Sequence, residues 1–187
     1  MTDLVWRRGA EPGIGDRKSA GSVSKWRRGT ARETVVSSTL VQLGSEWTVL
    51  QGSECGANGV DYVIVGPAGI FAVNTTMRGG KNLWVDESVI WSNGKPTSNV
   101  NDVRLGALAV SSRLTVTTGE VVPVTPVIVV PNPKSISFGG DAAKRTAVVS
   151  ADMFTRWLVE GPRELSDEAI AYFTMVVEER DTWAVAV

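Results

Sequence analysis

One stretch constrains the chain more than any other: Gly59-Val-Asp-Tyr-Val-Ile-Val-Gly-Pro-Ala-Gly-Ile-Phe-Ala-Val-Asn-Thr-Thr76. Val60, Val63, Ile64 and Val65 form one apolar run, and Ile70, Phe71, Ala72 and Val73 form a second. Gly66-Pro67-Ala68-Gly69 lies between them, a combination that ends one strand and starts another. The spacing predicts two β-strands joined by a tight turn. The polar positions stand out: Asp61 enters the first strand, and Asn74-Thr75-Thr76 leaves the second.

The totals exclude several chemistries. Histidine is absent, which removes Ser-His-Asp and Cys-His catalysis and His-ligated zinc. The single cysteine, Cys55, excludes an intramolecular disulfide and fits a reducing, cytoplasmic setting. Nothing beside Cys55 in its Gly-rich loop would make it a thiolate nucleophile. No apolar run approaches the roughly 18 residues that cross a bilayer, so no membrane contact is expected. The basic N-terminus has no apolar segment behind it and does not read as a signal peptide. With 43% hydrophobic residues, the 187-residue chain can bury a substantial core as one domain with appended segments.

Charge is unevenly distributed. Residues 1–32 hold eight Lys/Arg against three acids, a net of +5, while the rest of the chain carries −6. Residues 1–28 read as a largely disordered basic arm ahead of a domain spanning 29–187. Within the arm, Trp6-Arg7-Arg8-Gly9 is echoed by Trp26-Arg27-Arg28-Gly29. Arg7, Arg8, Arg27 and Arg28 suit phosphates, and Trp26 suits stacking on a base. A solvated tail would have the same composition.

The remaining elements follow from periodicity. Val36, Leu40 and Leu43 predict a helix from Thr30 to Leu43, with Thr30 and Glu33 forming a capping box and Gly44 the stop. Glu46–Leu50 reads as a strand. Past the hairpin, Asn82-Leu-Trp-Val-Asp and Ser88-Val-Ile-Trp-Ser read as short strands, Asn93-Gly94 as a turn, and Pro96 as the end of that region. A helix is expected from Ser98 to Leu114, and Val124–Val130 reads as a strand buried on both faces. Pro131–Ala143 reads as a long polar loop, and Thr146–Val149 as a strand. Helices capped by Asp152 and Ser166 follow. The seven tryptophans are spread through these elements and are expected mainly in the core. The order predicts an α/β fold, a three-layer α/β/α domain with a mixed central sheet.

The hairpin with its acid, preceded by a helix bearing Glu33 and followed by a polar triplet and a Gly pair, resembles the nuclease-related domain (NERD) family. That family lies within the restriction-endonuclease-like PD-(D/E)xK superfamily, and the resemblance extends from Gly29 to Leu158. It implies a site built from a helix acid, a strand acid and a Glu-x-Lys triplet. Carboxylates would hold Mg²⁺ at a phosphodiester, and the lysine would activate water and steady developing charge. By position, Glu33 matches the helix acid and Asp61 the strand acid, while Asn74 and Thr76 stand where the triplet's Glu and Lys belong.

Asn74 thus supplies a neutral carbonyl in place of a charge, and Thr76 has no ammonium group. Glu33 and Asp61 would bind Mg²⁺ weakly at best, and a degenerate domain needs no cofactor. The retained acids also have structural readings: Glu33 completes a capping box, and Asp61 can satisfy backbone donors at a strand start. Asn99 or Asn101 lies roughly where the family has a polar residue facing the site, although a polar residue at a helix N-terminus is the favoured reading of either one.

The leading expectation is a catalytically degenerate nuclease-like domain that binds nucleic acid or serves as a scaffold, with DNA as the partner class. One alternative is an active Mg²⁺-dependent nuclease that uses Glu33 and Asp61 with Arg78 or Lys81 migrated into the lysine's place. Another is a protein-interaction module whose partner the sequence leaves unnamed.

Overall fold

The structure is a computed structural model that describes residues 31–52, 60–76, 79–86, 89–97, 99–139 and 146–184, the side chains of 31–35 and 99 excepted. The expected basic arm, Cys55 and Arg78 lie outside the described residues.

The opening stretch folds as the sequence dictates. β2 (Tyr62–Gly66) and β3 (Gly69–Thr75) pair antiparallel from Tyr62↔Val73 to Gly66↔Gly69, turning through Pro67-Ala68. Gly69 has φ +120°, a conformation open to glycine and closed to most L-residues. β1 (Thr48–Gln51) flanks β2 antiparallel. On the other side, β7 (Thr125–Val130) adds parallel to β3, and β9 (Ala147–Ser150) adds parallel to β7. The result is a mixed five-stranded sheet, β1-β2-β3-β7-β9, with β3 at its centre.

Because side chains alternate across a strand, this sheet builds two cores. Val63, Val65, Ile70 and Ala72 pack against Ala107, Val110 and Leu114 of α2 (Asn99–Thr118) and Val176 and Val177 of α4 (Asp167–Glu178). Tyr62, Ile64, Phe71 and Val73 face the other way. They meet Val36 and Leu40 of α1 (Ala31–Leu40), and Phe154 and Leu158 of α3 (Ala151–Val159). Val63, Ile64, Val65 and Val73 are fully buried. Each such side chain contributes about 1.5–3 kcal/mol of transfer free energy. Helices on both faces of a mixed sheet make the three-layer α/β fold expected from the sequence. A short helix, α5 (Arg180–Ala184), ends the described chain.

A second sheet was not anticipated. β4 (Asn82–Val85), β5 (Ile90–Ser92), β6 (Lys95–Thr97) and β8 (Ser135–Phe138) form a four-stranded sheet in the order β6-β5-β4-β8. Its inner face, Leu83, Val85 and Ile90, packs on Val100 and Val103 of α2 and on Ile128, Val130 and Val148. Asn93 and Gly94, at φ 48° and 77°, make the tight turn their sequence signals. Pro96 does not end the region: it lies inside β6 opposite Trp91. β6 is an edge strand, where a residue lacking N–H is tolerated. Likewise, Pro131–Ala143 is not all loop, because Ser135–Phe138 pairs parallel with β4. That strand is mostly exposed and weakly apolar, so its existence depends on a distant partner.

The helix boundaries correct one further detail. Ser150, not Asp152, is the N-cap of α3, and Asp152 sits in the first turn, where its charge still suits the positive end of the dipole. Ser166 caps α4 as expected, its hydroxyl accepting from the Ala169 N–H at 3.2 Å.

Candidate functional site

Asp61 sits at the bend that leads into β2. Its backbone is tied on both sides: the Gly52 N–H donates to its carbonyl at 2.6 Å, and its own N–H donates to the Val73 carbonyl at 2.8 Å. β3 outruns β2 at this end, which leaves the Thr75 N–H without a backbone partner on β2. The Asp61 carboxylate fills that place, with Oδ2 accepting from the Thr75 N–H at 2.6 Å. One acid therefore completes the ladder that the shorter strand cannot.

Asn74 is the penultimate residue of β3, half-buried and in register with Ile128 of β7. It follows the Tyr62↔Val73 rung that Asp61 precedes, so the two residues flank the same rung. Thr76 lies one residue past β3, is 4% exposed, and donates its N–H to the Val129 carbonyl at 3.0 Å. Thr75 is 3% exposed, and its hydroxyl has no hydrogen-bond partner among the described residues. Asp61, Asn74 and Thr76 are thus brought together at the C-terminal end of β3.

Glu33 stands in the first turn of α1, and its side chain is outside the described residues. Its helix packs by Val36 and Leu40 on the sheet face that carries Phe71 and Val73. Asn74, sharing the parity of Ile70 and Ala72, belongs to the opposite face, the one α2 covers. Asn101 is exposed in the first turn of α2. Lys81 is exposed directly before β4, where its carbonyl accepts from the Lys134 N–H at 2.9 Å. Arg7, Arg8, Trp26, Arg27, Arg28 and Arg78 fall outside the described residues.

Mg²⁺ needs hard oxygen donors, usually one or two carboxylates together with substrate phosphates. Asp61 offers one carboxylate whose Oδ2 already holds the Thr75 amide, and Asn74 offers a neutral carbonyl. Among the described residues, no three Asp, Glu or Cys come together as metal ligands. Among the same residues, no helix is long and apolar enough to cross a membrane.

The tryptophans depart most from expectation. Trp47 is buried, but Trp84 is 49% exposed, Trp91 37% and Trp157 36%. The core takes alternate residues of the small sheet, and Leu83, Val85 and Ile90 fill it. Trp84 and Trp91 are left on the outer face. A signal for this lies in the sequence, because Trp84 shares strand parity with Asn82 and Asp86 rather than with Leu83 and Val85.

A model of the nuclease-related domain (NERD) family matches residues 28–131, from just ahead of α1 to just past β7. Neither a curated protein nor a solved structure matches the chain.

Proposed function

The chain belongs to the nuclease-related domain family, and from that membership we propose that it keeps the fold as a nucleic-acid-binding module without phosphodiester hydrolysis of its own. The observation that carries this reading is the neutral pair Asn74 and Thr76, standing beside Asp61 where the family's chemistry needs a carboxylate and an ammonium group. General acid–base help is worth about 10²–10⁴-fold, so its loss removes most of the rate such a site provides. Thr76 is also buried, with its amide fixed to Val129. Asp61 serves the end of the hairpin, which gives the retained acid a use independent of metal.

Binding would then rest on cations. Arg7, Arg8, Arg27 and Arg28 provide phosphate partners, and Trp26 provides a stacking surface. Lys81 opens the second sheet five residues after Thr76, which gives the active-nuclease alternative its one observation.

Two measurements on the full chain test the proposal. Duplex DNA should bind with a salt dependence that weakens when the four arginines are replaced by alanine. Four lost phosphate contacts would reduce the slope of log affinity against log salt by about 3.6. Supercoiled plasmid incubated with Mg²⁺ or Mn²⁺ should stay intact. Unchanged slope after the replacement would sink the arm as the contact. Metal-dependent nicking that vanishes in Asp61→Ala would establish the nuclease instead.

A further inference from the structure

We propose that the cavity at the turn end of the central hairpin is a receptor site for an arginine side chain, and that Arg7 or Arg8 of the chain's own basic arm fills it. The inference goes beyond the nucleic-acid reading and does not depend on it.

The cavity holds about 430 Å³ and lies where the β2–β3 turn, the start of β7 and the end of α3 meet. Ala68, Phe71 and Thr125 line it from the sheet side, and Trp157, Glu160 and Glu164 from α3 and the segment after it. These walls are fixed. The Pro67 carbonyl accepts from the Glu164 N–H at 2.8 Å and from the Leu165 N–H at 3.1 Å, which straps that segment over the turn. A Cβ on Gly69 would stand 3.5 Å from Glu164 Oε2, so the carboxylate reaches across the turn. Trp157 is held by Phe154, stacked with ring centroids 6.4 Å apart, and by Phe71, edge-on at 5.7 Å, and still remains exposed.

Charge selects the occupant. Among the described residues, both charged groups that line the cavity are carboxylates. Glu160 holds the exposed Arg156 in an i,i+4 pair at 2.8 Å, whereas the Glu164 carboxylate has no partner among the described residues. Glu160 is also the C-cap of α3, so the negative end of that helix dipole adjoins the cavity. An anion is repelled by all three. A neutral apolar ligand would strip water from Glu164 without replacing its hydrogen bonds. A guanidinium stacks on an indole face and offers a carboxylate two parallel N–H groups, so it meets both features at once. A lysine ammonium, strongly hydrated and without a plane, meets them less well.

The chain carries the matching cations. Residues 1–32 have a net charge of +5 and the remainder −6. Arg7 and Arg8 stand 24 and 23 residues ahead of Ala31, a length that spans up to roughly 75 Å, against a domain diameter of about 40 Å. Arg27 and Arg28, four and three residues ahead, reach at most about 14 Å from it. The first Trp-Arg-Arg copy is therefore the one whose reach covers the whole domain. A tether of this length supplies an effective concentration on the order of millimolar, so even a weak contact is occupied. Arginines held in the cavity are withheld from phosphates, which makes docking and nucleic acid competitors for the same side chains.

The Trp157 indole N–H resonance of the isotope-labelled full-length chain, assigned through Trp157→Phe, reports occupancy with no nucleic acid present. At low salt, Arg7→Ala/Arg8→Ala should displace the resonance. High salt should carry the parent's resonance to the same position while leaving the variant's in place. Arg7→Lys/Arg8→Lys, which keeps the charge, should reproduce most of the displacement caused by alanine. Glu160→Gln/Glu164→Gln, conservative changes at exposed positions, should abolish the difference that the two arginines make. A peptide of residues 1–12 added to the Arg7→Ala/Arg8→Ala variant should restore the parent position. Coincident resonances in the parent and Arg7→Ala/Arg8→Ala at low salt would overturn the proposal, as would an arginine effect that survives Glu160→Gln/Glu164→Gln. A difference that fades on dilution would put a second copy's arm in the cavity and overturn docking within one chain. All of these results stand apart from DNA binding, which the duplex and plasmid measurements decide.

Discussion

Replacing Asp61 tests whether the retained acid holds the hairpin together. Its Oδ2 accepts the Thr75 N–H at 2.6 Å, and Thr75 is 3% exposed. In Asp61→Ala that donor loses its acceptor where water reaches it poorly. A hydrogen bond to an ionised group is worth about 1.5–3 kcal/mol net, and an orphaned buried donor costs a similar amount. For a chain of this size each kcal/mol moves the melting temperature about 2–4 °C, so Asp61→Ala should melt about 3–12 °C lower. Asp61→Asn keeps an oxygen in place and loses only the charge assistance, so it should recover roughly half of the loss. Thermal melts in metal-free buffer measure the stability, and amide exchange at Thr75 locates the cause. An Asp61→Ala protein that melts within about 1 °C of the parent would refute the argument. The same holds for undiminished Thr75 protection. Either result would leave the acid without a structural use and return weight to a metal-binding one.

Gly66→Ala drives a methyl group into the ring of Trp47, which lies over that glycine and stacks on Phe71 with centroids 6.5 Å apart. Overpacking of this kind costs about 1–3 kcal/mol, read as a lower urea midpoint together with an altered near-ultraviolet circular dichroism signal. Ser166→Ala removes the cap of α4 and should cost about 1 kcal/mol in the same urea assay. Glu168 adds a pH signature, because its own backbone N–H and then the Ser166 hydroxyl hold its carboxyl below the ordinary 4.5. Since the folded state depresses the value, the stabilisation is present above 4.5 and is lost as pH falls through the folded value. The stability gap between the parent and Glu168→Gln should narrow over that descent, and Ser166→Ala should move the Glu168 carboxyl resonance titration upward.

What could be read from the sequence follows the range of the interactions. The β2–β3 hairpin was legible because its turn residues and apolar runs are contiguous. The cap at Ser166 was legible for the same reason. β8 was not, because Ser135–Phe138 becomes a strand only by meeting β4, far back in the chain. Pro96 misled because local chemistry reports a missing donor without reporting that the strand lies at an edge. The outward turn of Trp84 was signalled only by its parity with Asn82 and Asp86, a weak cue beside the apolar Leu83 and Val85, and Trp91 shares its parity with the apolar Val89. At the candidate site, the chemical deficit of Asn74 and Thr76 was plain in their identities. The bond from Thr75 to Asp61 needed the register, which fixes how far β3 extends past β2.

The passage from β7 to β8 has a consequence for how the protein assembles. Thr125–Val130 closes the large sheet against β3, and Ser135–Phe138, reached through four residues, closes the small one against β4. Both pairings are parallel and distant in sequence, so each carries a large loop-closure entropy when formed alone. Laid down by one continuous segment, the second closure starts from ends that the first has already brought close. The two sheets should accordingly appear in a single kinetic phase, and the small sheet should not survive excision as an independent module.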